Sequence, residues 1–261
     1  MPHNKVIAVD RDAHGLAHFQ VAEWLGLVFV NLDAGAQPLS ARLAGIEPYL
    51  AVFDPESLTD VSVGETELWQ ANWKLIMENA MESYHLFKVH RETLERFSPT
   101  RDAYYLAGSS EWSLTGGATQ REKGVLETLL GTSEGDALDH YILVSIPPSF
   151  VGVLAYGSFG WLSAHPVDAN TTVVRSGSTV YPGQVADPAS KAFTQAFFKE
   201  DQDMCERVHR GMRARFGRGG KLVDMEQVVV DFHQYLASRL SGRSAGSFME
   251  NGTAAARFVA R

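Results

Sequence analysis

Apolar positions fall into short runs separated by polar or glycine-rich breaks, and their period changes along the chain. Trp24-Leu-Gly-Leu-Val-Phe-Val-Asn-Leu32 is rich in branched and aromatic residues and stops at Asp33 and Gly35, which predicts a buried strand. Residues 59–70 alternate weakly, with Val61 and Val63 on one side and Ser62 and Gly64 on the other, before Leu68 and Trp69 lead into a helix. Asn72 is a suitable N-cap for that helix. From Trp73 onward, Leu75, Ile76, Asn79, Ala80, Ser83 and Tyr84 recur at three- and four-residue steps, so a helix is expected through this stretch. Its other face holds Lys74, Glu78, Met81, Glu82 and His85.

Residues 104–119, 141–146, 150–163 and 172–181 are rich in Tyr, Val, Leu, Trp and Thr, with Gly, Pro, Asn and Asp between them. That pattern predicts an antiparallel meander. Asp187-Pro188 then gives a helix start, and the helix is free to run to the Gly217-Arg-Gly-Gly220 break. Val228 to Leu240 predicts one more amphipathic helix, followed by a loose tail from Ser241. The sum is an α+β chain.

Composition narrows the function classes. With 45% hydrophobic residues the 261-residue chain has material for a sizeable core. Twenty-three basic against thirty-one acidic residues leave a net charge of -8, which disfavours nucleic acid as a partner. Cys205 is the single cysteine, so the chain can form no internal disulfide and cannot alone ligate an iron–sulfur cluster through cysteines. Residues 1–20 hold charges and histidines, and no apolar run reaches eighteen residues, so a soluble, cytoplasmic protein is expected.

Chemistry concentrates in Glu78-Asn-Ala-Met-Glu-Ser-Tyr-His85-Leu-Phe-Lys-Val-His90. On a regular helix a five-residue step turns about 140°, so His85 and His90 share a metal only if the helix distorts or ends. A third donor is available in Glu200-Asp-Gln-Asp-Met-Cys-Glu-Arg-Val-His209. Two imidazoles and one carboxylate on one face of iron(II) leave positions open for dioxygen and substrate, although the same donors also suit zinc. Cys205 is expected to be a small buried hydrophobe, His209 to have a core or surface role, and His140, His165 and His233 to be structural.

Asn72-Trp-Lys74, Glu78-Asn79, Glu82-x-Tyr84-His85 and x4-His90, with Glu200-Asp201-x3-Cys205-Glu206-x-Val208 downstream, resemble the Rieske-type ring-hydroxylating oxygenase alpha subunits. The form with Glu82 resembles the branch holding choline- and betaine-type monooxygenases as well as aromatic dioxygenases. The resemblance implies mononuclear Fe(II) on His85, His90 and Asp201, not Asp203, with Glu82 as the catalytic bridge for electrons from a neighbouring cluster. Glu78 and Asn79 are then candidates for orienting ligands, and Tyr84 for a packing or catalytic role beside them.

The resemblance also implies a helix-grip antiparallel sheet packed on a long C-terminal helix, assembled as a homotrimer. Residues 1–38 resemble the closing strands of a Rieske domain, and 39–261 the mononuclear-iron catalytic domain. The Cys-x-His and Cys-x-x-His pairs for a [2Fe–2S] cluster are missing. The cluster is therefore expected from a partner or an upstream region, with Rieske, ferredoxin and reductase proteins as electron donors. The expected reaction is O2-dependent mono- or dioxygenation, aromatic ring hydroxylation or oxidative N-demethylation of a small organic substrate. Trp112, Tyr141, Phe150, Tyr156, Phe159 and Trp161 are candidates for the pocket wall, with most of them expected to be core instead. Competing readings are a non-catalytic remnant that keeps the pocket and, less favoured, a zinc hydrolase.

Overall fold

The computed structural model describes residues 14–119, 139–155, 157–184, 188–216 and 219–242. The leader at Met1–His3, the Asp187 cap, Tyr156, the Gly217-Arg218 break, the tail beyond Gly242 and the side chains of Ser62 and Val63 lie outside the described residues. The chain forms two compact units, Met1–Ala44 and Gly45–Arg261.

In the first unit the expected single strand is a hairpin, β1 (Gln20–Trp24) against β2 (Leu27–Asn31). Leu25 and Gly26 both take positive φ, 50° and 73°, as a two-residue hairpin turn with strand-matched twist requires. The apolar run hid this turn because Leu25 supplies one of its left-handed positions, where a branched aliphatic residue is unusual. The strands are not buried as expected: Val21, Val28 and Val30 are all more than half exposed. A four-residue helix, α1 (Leu39–Arg42), completes the described part.

The second unit opens with α2 (Glu47–Leu50) and is built on a seven-stranded antiparallel sheet. Its strands are β3 (Asp60–Trp69), β4 (Ala103–Gly108), β5 (Ser113–Ala118), β6 (His140–Ile146), β7 (Phe150–Ala155), β8 (Ser158–Pro166) and β9 (Thr172–Val180). β4 to β9 form the expected meander, and β3 closes it by pairing with β9, giving the order β3-β9-β8-β7-β6-β5-β4.

Between β3 and β4 lie α3 (Trp73–Ala80) and α4 (Leu86–Val89); after the sheet come α5 (Pro188–Gly211) and α6 (Gln227–Ser241). Asn72 caps α3, its Oδ1 accepting from the Lys74 backbone N–H at 3.1 Å. Trp73, Ile76, Met77 and Ala80 give α3 one apolar face, and Val228, Val229, Phe232 and Leu236 give α6 another. These faces pack with Phe198 and Cys205 of α5 against Leu143, Val151, Leu162, Ala164 and Val174 of the sheet. A helix layer on one sheet face is thus the frame of the molecule, in agreement with the expected α+β class.

Two helix ends differ from expectation. α5 stops at Gly211 rather than at the later glycines, since a residue without Cβ readily leaves the helical conformation. α3 stops at Ala80, so Glu82 and His85 do not continue its outer row and Met81 is fully buried.

Among the described residues no helix is long and apolar enough to cross a membrane.

Candidate metal centre

The early end of α3 places the histidines. Met81 to His85 form a bend, after which His85 and His90 occupy the N-cap and C-cap of the four-residue α4. Side chains from other segments satisfy the backbone of this bend. Thr115 Oγ1 on β5 donates to the Met81 carbonyl at 3.1 Å, and Thr100 Oγ1 to the Ser83 carbonyl at 3.3 Å. The Tyr141 hydroxyl on β6 donates to Ser83 Oγ at 2.9 Å. Buried carbonyls freed by a broken helix need such partners.

Glu82 shapes the bend from within. Its Oε2 accepts from the backbone N–H of Tyr84 and, at 3.3 Å, of His85, while Oε1 lies 2.6 Å from His85 Nδ1. The same carboxylate therefore turns the chain and orients the imidazole.

Across from α4, α5 presents Glu200 and Asp201. Asp201 Oδ1 lies 2.9 Å from His90 Nε2 and 3.5 Å from His85 Nε2. One donor atom from each of His85, His90 and Asp201 falls within 4.8 Å of the other two. Asn79, in the last turn of α3, donates from Nδ2 to Asp201 Oδ1 at 2.8 Å. His90 is completely buried, and His85 and Asp201 are partly buried, with 17% and 18% of their side chains exposed.

Burial works against charge on all three groups, and their proximity reverses the outcome. His85 would be pushed down by burial, yet hydrogen bonds and charge from Asp201 and Glu82 hold it up at about 10. His90 is likewise raised, through Asp201 and Glu200, against the effect of its burial. Asp201 would be pushed up by burial, and the two imidazoles bring it down to about 2. Asp201 thus sits where positive charge on either imidazole is stabilised, as a bound cation would be.

The donor chemistry fits a divalent first-row ion. Both Nε2 atoms turn toward Asp201, while each Nδ1 meets a carboxylate, Glu82 for His85 and Glu200 for His90 at 2.8 Å. An imidazole whose outer N–H is held by a carboxylate is the usual arrangement of a metal-bound histidine.

Other predicted residues are placed elsewhere. Glu78 pairs with His233 Nε2 at 2.8 Å and touches no member of the trio. The Tyr84 ring is exposed and packs against Phe87, 5.5 Å between centroids; only its backbone N–H enters the site, at Glu82. Asp203 pairs with Lys199 at 2.7 Å, away from the histidines. Cys205 is buried and its thiol is pushed up by that burial. His209 lies near Asn170, 3.4 Å from its Oδ1, and His165 lies 3.0 Å from Ser163 Oγ.

Of the pocket-wall candidates, Trp112, Tyr141 and Phe159 are buried, and the sheet register decides which face the site. Residues paired across strands share a sheet face, and Tyr141 shares the face of Gly117 and Ala155, toward the site. Phe150, Phe159 and Trp161 have the opposite parity. The rings of Phe159 and Trp161 lie over Gly152 and Gly177, where a Cβ would approach them to 2.6 Å. Trp112 precedes β5 and faces Tyr49, 6.3 Å between centroids. Glu200 and Thr93 were given no role, although Glu200 stands beside Asp201 in the sequence.

Two histidines at the ends of α4 and an aspartate on α5, gathered at one point over a helix-backed antiparallel sheet, define a candidate mononuclear metal protein. The chain belongs to the ring hydroxylating alpha subunit (catalytic domain) family, whose profile matches residues 55–242. It is 25% identical over 236 residues to the carnitine monooxygenase oxygenase subunit of Acinetobacter baumannii, covering 85% of this chain and 60% of that protein. It is 35% identical over 85 residues to the glycine betaine monooxygenase oxygenase subunit of Chromohalobacter salexigens, covering 33% of this chain and 19% of that one. The crystal structure of a quaternary ammonium Rieske monooxygenase shares the fold, with TM-score 0.70 at 20% identity over 91% of this chain and 66% of that one. The chain thus spans less than two thirds of the length of these relatives.

Proposed function

We propose that this chain is the iron-holding catalytic part of a Rieske-type oxygenase, with His85, His90 and Asp201 as ligands of mononuclear Fe(II). The observation that carries this reading is the convergence of two Nε2 atoms and one carboxylate oxygen within 4.8 Å, in a family of ring-hydroxylating alpha subunits. A ferrous ion bound there supplies open coordination positions and one-electron chemistry for activating dioxygen. The chain's own residues hold the site in place: Asn79 orients Asp201, and Glu82 holds the N–H at Nδ1 of His85. Glu82, touching His85 from a largely buried position, is the residue through which an external electron reaches the site.

The electrons come from a [2Fe–2S] cluster held by a partner protein or by an upstream region, and from a reductase behind it, a reading supported by the family match. Residues 1–38 are the closing part of a Rieske domain, a reading supported by the β1–β2 hairpin and its separate compact unit. The working assembly is a homotrimer. The substrate is a small quaternary ammonium compound, a class supported by the names of the carnitine and glycine betaine relatives. In the net monooxygenation, one atom of O2 enters a substrate C–H bond and the other leaves as water, with two electrons from the donor and two protons from solvent. A second reading, a remnant that keeps the metal and does not turn over, is separated from the first by turnover with a supplied donor.

Metal analysis of anaerobically purified protein tests the site. About one iron per chain is expected, with near-complete loss in His85→Ala, His90→Ala and Asp201→Ala, each of which removes a ligand. Stoichiometric zinc in the parent protein sinks the iron reading. Glu82→Gln is expected to keep iron and slow donor-coupled oxidation of glycine betaine; no turnover by the parent with any supplied donor favours the remnant.

A further inference from the structure

Glu200 and Thr93 stand outside the proposed ligand set, yet they enclose one of its members. The His90 ring is fully buried, so water does not satisfy its outer nitrogen. That nitrogen, Nδ1, meets Glu200 Oε2 at 2.8 Å. The same oxygen accepts from Thr93 Oγ1 at 2.6 Å, and the Thr93 backbone N–H donates to the His90 carbonyl at 3.1 Å. Phe197, one turn before Asp201 on α5, meets the His90 ring edge to face, 6.3 Å between centroids and at 88°. Two consecutive carboxylates of one helix therefore hold the two nitrogens of one imidazole, Glu200 at Nδ1 and Asp201 at Nε2.

We infer that Glu200, braced by Thr93, is a positioning residue that fixes His90 as the Nδ1–H tautomer and aims its Nε2 lone pair at the metal position. The inference rests on the reading of His90 as a ligand. A neutral imidazole carries one N–H; a carboxylate at Nδ1 claims it and leaves Nε2 as the donor. Thr93 holds the carboxylate oxygen in line, so the imidazole does not have to be reoriented when the metal arrives. Because Glu200 and Asp201 share a helix, a shift of α5 moves the ligand and the brace together.

The test is the rate at which Fe(II)-loaded full-length chain gives up iron to an excess of ferrous chelator under anaerobic conditions. Glu200→Ala is expected to accelerate release 10- to 100-fold and Glu200→Gln, which keeps an acceptor, about 10-fold. Thr93→Val should shift the rate in the same direction by less, with Thr93→Ser restoring the parental value. The Co(II)-substituted protein should show an altered visible absorption spectrum in Glu200→Ala, a signature that a purely structural role does not move. Should Glu200→Ala fail to fold, Glu200→Gln decides. Parental release rates in the Glu200 variants, with iron lost from Asp201→Ala and His90→Ala, overturn this inference alone. Iron retained in Asp201→Ala and His90→Ala as well overturns the ligand reading beneath it.

Discussion

Asp201 sits in the interior of a 24-residue regular helix, whereas His85 and His90 bracket a helix of four residues. In α5 each backbone N–H finds its carbonyl four residues back, so helix phase alone puts Glu200 and Asp201 beside α4. The segment from Met81 to His90 keeps that ladder only at its ends, at Met81 and at Val89 and His90. Thr115 and Thr100 hold two of its carbonyls, and Glu82 holds two of its N–H groups. Helix periodicity therefore builds one half of the site, and side-chain hydrogen bonds, from distant threonines and from Glu82 within the bend, build the other.

The largest effect is expected where the regular half is broken. Asp203→Pro removes an internal hydrogen bond of α5 and clashes with the preceding turn, costing about 3 kcal/mol or more by chemical denaturation. An unchanged denaturation midpoint would show that α5 does not depend on its own ladder. A smaller effect should follow Thr100→Val. The Thr100 hydroxyl donates to Glu95 Oε2 at 2.7 Å, with the Ser83 carbonyl as a longer second acceptor at 3.3 Å, and accepts from the Phe87 N–H at 2.9 Å. Its loss leaves buried groups unpaired and should cost about 1–3 kcal/mol. Hydrogen exchange at the Phe87 amide should rise and iron release should quicken. Asn72→Ala removes the cap of α3 and an exposed hydrogen bond to the Ala169 carbonyl, and should cost about 1 kcal/mol in thermal unfolding, leaving iron release unchanged. If Asn72→Ala speeds iron release as much as Thr100→Val, the contrast between the two halves is wrong.

The same contrast explains what is legible in the sequence. The Asn72 cap, the meander and the last amphipathic helix follow from short-range patterns, and β3 to β9 and α6 match them closely. The end of α3 does not, because Met81, Glu82, Ser83 and Tyr84 contain neither glycine nor proline and keep a helical period. What stops the helix there is a set of partners at Thr100, Thr115 and Tyr141, visible only once the sheet exists. The hairpin turn escaped notice because Leu25 takes a left-handed conformation usually left to glycine, asparagine or aspartate. Strand content identified the aromatics of β7 and β8, but a face is fixed by register, and that put Phe150, Phe159 and Trp161 opposite Tyr141. Glu200 is readable as half of an acidic pair; its grip on His90 requires α4 and α5 to meet.

Cys205 lies one turn beyond Asp201, on the side of α5 pressed against the sheet, and burial keeps its thiol protonated. Reagents that alkylate thiolates meet it only in molecules whose helix has lifted away. The chain's one sulfhydryl is thus a built-in clock for opening of the layer that carries the aspartate, and its labelling rate separates a site that has lost its ion from one that has lost its wall.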